Sequence, residues 1–230
     1  MIFVGNGALL KNALSYTLQR QYTIDMVYCP SNELSFFFQK HNIPFKITAN
    51  INDEIEDMIA VATDKIVFSI NNGWIFRRDI LALPGFRFYN IHNGILPHYR
   101  GIPLVCIIYA ILNGDTEYGV TLHRVDEGID TGSSIAVKRF AISPADNFES
   151  VMSKGLEYCR TVFEDNVDKI VTGGYSYMET AGGPSKLYSV KDLHMLSAHR
   201  ANPRLQQALH FGIFKLWYRN IHESISEMVL

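Results

Sequence analysis

Asn90 and His92, an amide and an imidazole, stand two residues apart at the end of an apolar run. If that run is a strand, both side chains point to the same side of it. Further along, the glycine-rich stretch Val125-Asp126-Glu127-Gly128-Ile129-Asp130-Thr131-Gly132 offers a carboxylate. An amide and an imidazole can together stabilise charge on an acyl oxygen, and a carboxylate can orient the imidazole and help move a proton. Those group types suit acyl transfer to an amine. No nearby Ser or Cys stands out as a covalent nucleophile, which argues against a triad mechanism. No second His or Cys sits at metal-ligand spacing, so no metal is expected.

The elements that must hold these groups alternate along the chain. Residues 2–4 read as a short buried strand ending at Gly5-Asn6-Gly7, after which Leu9, Leu10, Ala13, Leu14 and Leu18 recur at helical spacing. Residues 24–28 and 45–47 read as strands and 33–40 as a short helix. Residues 51–62 form a helix opened by Asp53, Glu54 and Glu56, which the positive end of a helix favours. Residues 65–70 are the clearest central strand, 78–83 a short helix, and 86–92 the next strand. Such alternation predicts an α/β fold, a Rossmann-like, mostly parallel sheet with helices on both faces. Ligands of such sheets bind beyond the carboxyl ends of the strands, where Asn90 and His92 fall. The turn at Gly5-Asn6-Gly7 lacks the third glycine of a dinucleotide fingerprint. It reads as a tight strand-to-helix turn, whose backbone N–H groups could still approach a pyrophosphate.

Residues 103–113 are an apolar helix ended at Gly114, and 118–126 and 133–142 are strands flanking the second glycine-rich turn. A turn at 143–146 leads into a long helix through 170, capped by Asp146 or Asn147 and closed by Gly173-Gly174. Gly182-Gly183-Pro184 reads as a joint and 186–190 as a short strand. The expected organisation is a catalytic domain over 1–180 and a small C-terminal extension over 181–230. Leu205, Ala208, Leu209, Phe211, Ile213, Leu216, Trp217 and Ile221 give that extension an apolar side. It is too short for a core of its own, so it packs on the main body or on a second subunit.

The 230 residues suit one large domain, or one with a small appendage. A hydrophobic fraction of 47% and a charged fraction of 19% describe a chain with a real core. A net charge of −2, with no basic stripe, gives no electrostatic reason to expect nucleic acid as a partner. Cys29, Cys106 and Cys159 are widely spaced and read as structural thiols in a reducing compartment. The chain shows neither a leader pattern nor a run of the ~18 apolar residues a membrane span needs, so a cytoplasmic location is expected.

Asn90-Ile91-His92, Leu96-Pro97, Arg100-Gly101, Gly119-Val120-Thr121 and Asp130-Thr131-Gly132 resemble, in that order, the signature of the folate-dependent formyltransferases. The resemblance is strongest over residues 60–140. It implies transfer of a formyl group from N10-formyltetrahydrofolate to a primary amine, with no metal and no covalent enzyme intermediate. The family's catalytic amide, imidazole and carboxylate correspond to Asn90, His92 and Asp130. Asp126 shares the second turn, but Asp130 has the Thr-Gly after it that the pattern requires. By this resemblance Asn90 and a protonated His92 stabilise the oxyanion, while Asp130 holds His92, raises its pKa and assists proton removal. The formyl donor's pterin would border Ser69, Ile70, Trp74 and Ile75 and the loop 126–129, with Asp126 and Gly128. Core packing is an equally good account of Trp74 and Phe76.

The segment His92-Asn93-Gly94, together with Leu122-His123-Arg124-Val125-Asp126 and Tyr188-Ser189-Val190-Lys191-Asp192-Leu193, is similar to the sugar N-formyltransferases. These act on nucleotide-linked amino sugars, most often dTDP-4-amino-4,6-dideoxyglucose or its 3-amino relative, used in O-antigen and other surface polysaccharides. They are commonly homodimers joined through the C-terminal region. Asn93, Gly94, Arg100 and Tyr188 are then the expected substrate contacts. Arg100 suits a phosphate through its fork or else fixes its own turn, and Tyr188 is a candidate for stacking on the base. Residues 183–230 are too few for the C-terminal barrel of enzymes that formylate methionyl-tRNA. The alternative is the purine-pathway enzyme that formylates glycinamide ribonucleotide, which keeps the same three groups but usually reads His-Pro-Ser.

Overall fold

The computed structural model describes residues 1–179 and 184–229. Its strands are β1 (Ile2–Gly5), β2 (Met26–Cys29), β3 (Phe45–Ile47), β4 (Ile66–Ile70), β5 (Arg87–His92), β6 (Arg100–Gly101), β7 (Glu117–Arg124), β8 (Ser134–Ala141) and β9 (Leu187–Tyr188). Its helices are α1 (Gly7–Gln19), α2 (Ser35–Lys40), α3 (Ile55–Val61), α4 (Arg78–Leu81), α5 (Pro103–Asn113), α6 (Phe148–Glu164), α7 (Val167–Thr172), α8 (Val190–His194), α9 (Leu205–Ala208) and α10 (Arg219–Val229). Seven strands form one sheet in the order β3-β2-β1-β4-β5-β7-β8, and β6 pairs with β9. The pairings among β1 to β5 are all parallel. Arg124 N donates to Ser133 O at one end of β7, and Ile142 N to Thr116 O beyond the other, so β7 and β8 run antiparallel. The mostly parallel α/β sheet expected from the alternation is what forms.

The chain divides into two compact units, Met1–Ile91 with Leu122–Ala136 and Cys159–Glu179, and His92–Thr121 with Val137–Tyr158 and Thr180–Leu230. The expected boundary between 180 and 181, and Gly182-Gly183 of the expected joint, lie outside the described residues.

In the first unit every residue of β1 and β4 is buried, as continuous apolar runs in a parallel sheet covered on both faces must be. One face carries Phe3, Phe68 and Tyr89, with successive ring centroids 5.6 Å apart, and Phe163 set edge-on to Phe3 and Phe68. The other gathers Ile2, Val4, Val67 and Phe88 with Met58, Phe76 and Ile80. Strand order reverses between β1 and β4, which opens the carboxyl-end crevice typical of such sheets. Gly5 sits there with φ +150°, and a Cβ on it would lie 1.8 Å from Ile70 O. The expected helix 51–62 is a 3₁₀ turn, Ile51–Asp53, followed by α3. The long helix expected through 170 breaks between α6 and α7. There Asn166 Nδ2 donates back to Val162 O at 2.8 Å, a local bond that competes with helix continuation.

In the second unit α5 is buried from Leu104 to Leu112, opened by Pro103 and closed by Gly114 at φ +75°. Around it pack Phe148, Leu193, Leu196, Leu205, Phe211 and Phe214. Much of the apolar side expected of the extension is therefore core of this unit, whereas Ile213, Leu216 and Trp217 stay exposed. The three cysteines are free and buried. Among the described residues no helix is long and apolar enough to cross a membrane.

Candidate active site

The chain passes from the first unit to the second between Ile91 and His92. In the first unit, β4 and β5 pair in parallel and bring Ser69 into register with Asn90. The turn after β7 returns Asp130 to the same place. Asn90 Nδ2 lies 3.4 Å from Asp130 Oδ1, and Asp130 holds a left-handed φ of +53°, a conformation Asp tolerates better than most residues. The sequence reading gave no role to a third member of this group. His123 is buried on β7, its Nε2 is 3.1 Å from Asn90 Nδ2 and 3.5 Å from Asp130 Oδ1, and its Nδ1 is 2.7 Å from Arg124 O. An imidazole directly after the run Tyr118-Gly119-Val120-Thr121-Leu122 was the available signal.

The loop that carries Asp130 is braced by its own side chains. Asp126 Oδ1 accepts from Gly128 N at 3.1 Å and from the Thr131 hydroxyl, which ties that carboxylate to its own loop. A Cβ on Gly128 would lie 2.1 Å from Thr131 Oγ1. Residues 126–129 are exposed. Of the other residues expected beside a pterin, Ser69 and Ile70 are buried, Ser69 Oγ accepts from Asn72 Nδ2, and Trp74 donates its indole N–H to Ala49 O. Ile75 is 64% exposed, an apolar side chain standing in solvent next to that framework.

In the second unit His92 is buried with Nε2 2.5 Å from Tyr99 O. A carbonyl oxygen only accepts, so Nε2 carries the hydrogen. Gly94 makes this possible: a Cβ there would lie 2.4 Å from His92 Nε2 and 2.5 Å from Tyr99 O. The loop is tied down by Tyr118 OH on Asn93 O at 2.9 Å and Thr121 Oγ1 on Gly94 O at 2.8 Å. Leu96 N donates to the same hydroxyl. Asn93 is buried against Gly155, where any Cβ would come within 2.3 Å of Asn93 Oδ1. The Tyr99 carbonyl was invisible in the sequence because it is a backbone group.

Arg100 lies in β6, its guanidinium donating to Ser185 Oγ at 3.0 Å. Tyr188 lies in β9, only 4% exposed, stacked on Tyr99 with centroids 5.4 Å apart and with Lys186 Nζ over its ring. Burial pushes its hydroxyl up to about 12. Burial first, then the Asp115 carboxylate that accepts its hydrogen bond, also raises Tyr99. These rings line a cavity of about 440 Å³ with Asn113, Asp115, Arg139 and Lys186. Among the described residues no group of three or more His, Cys, Asp or Glu is arranged to hold a metal ion.

Comparison with known proteins gives this geometry its context. A methionyl-tRNA formyltransferase of Ehrlichia ruminantium (strain Welgevonden) is 35% identical over 101 residues, 44% of this chain. The chain spans 33% of that relative's length. The N-formyltransferase of Helicobacter canadensis, solved with folinic acid and dTDP-3-aminofucose, superimposes with a TM-score of 0.68 at 26% identity, over 83% of this chain and 71% of that one. WlaRD, a sugar 3N-formyl transferase solved in the presence of dTDP and 5-N-formyl-THF, gives 0.66 at 26% identity, over 83% and 69%. The formyl transferase family model matches residues 14–166, which takes in Asn90, His92, His123 and Asp130. This chain belongs to the formyl transferase family.

Proposed function

We propose that this chain transfers a formyl group from N10-formyltetrahydrofolate to the amino group of a nucleotide-linked amino-deoxysugar. The sugar is of the dTDP-4-amino-4,6-dideoxyglucose type or its 3-amino relative, and the product serves surface polysaccharide such as O-antigen. The observation that carries formyl transfer is the Asn90 amide aimed at Asp130, 3.4 Å away, within the family match. The sugar acceptor is supported by the two solved relatives at 26% identity, both N-formyltransferases crystallised with dTDP or a dTDP-sugar.

The residues present suit the formyl donor: an exposed backbone loop at 126–129, the exposed Ile75, and an amide beside a carboxylate. The donor supplies an electrophilic formyl carbon for attack by the neutral amine of the sugar. Asn90 gives an N–H to the charge that develops on the formyl oxygen. With Nε2 hydrogen-bonded to Tyr99, His92 works through Nδ1, and Asp130 is the carboxylate that takes the proton from the amine, directly or through water; as the formyl carbon's bond to the donor nitrogen breaks, that proton is passed on to the departing nitrogen. Asn93 and Gly94, buried as they are, serve the acceptor by holding the His92 loop rather than by touching it. Arg100 and Tyr188 border the acceptor side. The protein works as a cytoplasmic homodimer without a metal.

A second reading has methionyl-tRNA as acceptor, favoured by the 35% identity to the Ehrlichia enzyme. Incubating the chain with the formyl donor and, separately, dTDP-4-amino and dTDP-3-amino sugars, methionyl-tRNA and glycinamide ribonucleotide distinguishes these by mass. A formyl group gained by a sugar alone is the expected result. Formylation of methionyl-tRNA or glycinamide ribonucleotide with no change in either sugar refutes the sugar assignment.

A further inference from the structure

We infer that His123 is a positioning residue that fixes which end of the Asn90 carboxamide faces Asp130 and aims its second N–H at the reacting oxygen. The inference rests on the formyl-transfer reading above and deepens it. Three facts carry it. His123 is 2% exposed on β7, which lies between β5 and β8, so its ring is held by protein groups. Its Nδ1 lies 2.7 Å from the Arg124 carbonyl, which can only accept, so Nδ1 carries a hydrogen, and with the ring in its Nδ1–H tautomer Nε2 presents a lone pair. That lone pair lies 3.1 Å from Asn90 Nδ2, shorter than the 3.4 Å from Asn90 Nδ2 to Asp130 Oδ1.

The angle at Asn90 Nδ2 decides what the second hydrogen does. The distances of 3.1, 3.4 and 3.5 Å among Asn90 Nδ2, His123 Nε2 and Asp130 Oδ1 close a triangle. By the law of cosines the two acceptors subtend about 65° at the amide nitrogen, whereas its two hydrogens diverge by about 120°. One N–H therefore serves both acceptors from between them, and the other is directed away from them. With the amide reversed, Oδ1 would face a lone pair and a carboxylate, two repulsions in a low-dielectric place. His123 thus turns a carboxamide with two nearly isosteric ends into a donor of defined direction.

The test uses the full chain. With ¹⁵N-labelled histidine, the ring signals lost in His123→Gln should report an Nδ1–H tautomer in the parent protein at neutral pH. An Nε2–H or doubly protonated ring overturns the inference without reference to any substrate. In steady-state formyl transfer, His123→Phe should lower kcat on the order of 10²-fold, the scale of a misplaced group, with KM for both substrates within about twofold. His123→Gln, whose side-chain carbonyl can accept from Asn90, should recover at least about tenfold of that loss. An inactive Asn90→Ala beside a His123→Phe of parental kcat overturns the role of His123 and leaves formyl transfer standing. Parental kcat in Asn90→Ala removes the formyl-transfer reading of this site and the inference with it.

Discussion

Replacing Gly94 with alanine adds one methyl group where the structure has no room for it. Its Cβ would stand 2.4 Å from His92 Nε2 and 2.5 Å from Tyr99 O, the two ends of one hydrogen bond. Comfortable contacts begin near 3.5 Å, so the ring must move by about 1 Å. The backbone cannot retreat instead, because Gly94 O and Leu96 N share the Thr121 hydroxyl and Asn93 O takes the Tyr118 hydroxyl. Overpacking of this kind costs about 1–3 kcal/mol, and the lost hydrogen bond about 1 kcal/mol. For a chain of this size each kcal/mol lowers the melting temperature by about 2–4 °C, so calorimetry should register a fall of roughly 4–16 °C. Displacing the imidazole by about 1 Å should lower kcat on the order of 10²-fold. Both measurements are needed. A Gly94→Ala protein that melts like the parent shows that the loop gives where it is described as pinned. One that melts early but turns over at the parental rate shows that His92 need not stand where Tyr99 holds it.

Gly128→Ala would bring a Cβ to 2.1 Å from Thr131 Oγ1 and break the bridge through Asp126. It should raise KM for the formyl donor severalfold while changing kcat less, and an unchanged KM detaches that loop from donor binding. Asp146 provides a pH test. Burial pushes its carboxyl up, but the Lys154 ammonium and donors from Ser143 and Ser150 outweigh that and hold it at about 2. A depressed folded value means stability present above the unfolded value of about 3.9 and lost as pH falls toward 2. Allowing for the partly exposed Lys154, Asp146→Asn should cost about 1–2 kcal/mol at neutral pH and flatten the acid limb of the stability curve. Equal acid limbs in the two proteins would refute the assignment.

What could be read from the sequence, and what could not, follows from the range of the forces involved. α5 was legible to the residue because Pro103 and Gly114 mark its ends chemically. β3 was found at 45–47 although Lys46 interrupts its apolar residues. The break before α7 was hidden because it depends on the Asn166 amide choosing a backbone carbonyl over solvent. Asn90 and Asp130 were marked by residue type and by the glycines around them. The role of His123 was not, since it turns on the Arg124 carbonyl setting its tautomer. Gly94 was expected to face a substrate, yet its missing side chain makes space for a ring two residues back. The buried half of the C-terminal apolar side was foreseen as a pattern, while its destination around α5 needed the tertiary fold.

The alternation of the two compact units along the chain has a consequence for synthesis. The first unit draws its last residues from Cys159–Glu179, and the second takes its first from His92–Thr121. Synthesis must therefore pass Glu179 before either half has all its parts. No single cut yields a contiguous fragment that contains one unit whole and nothing of the other. Limited proteolysis should accordingly give either intact protein or rapid, complete digestion, with no stable half accumulating between them.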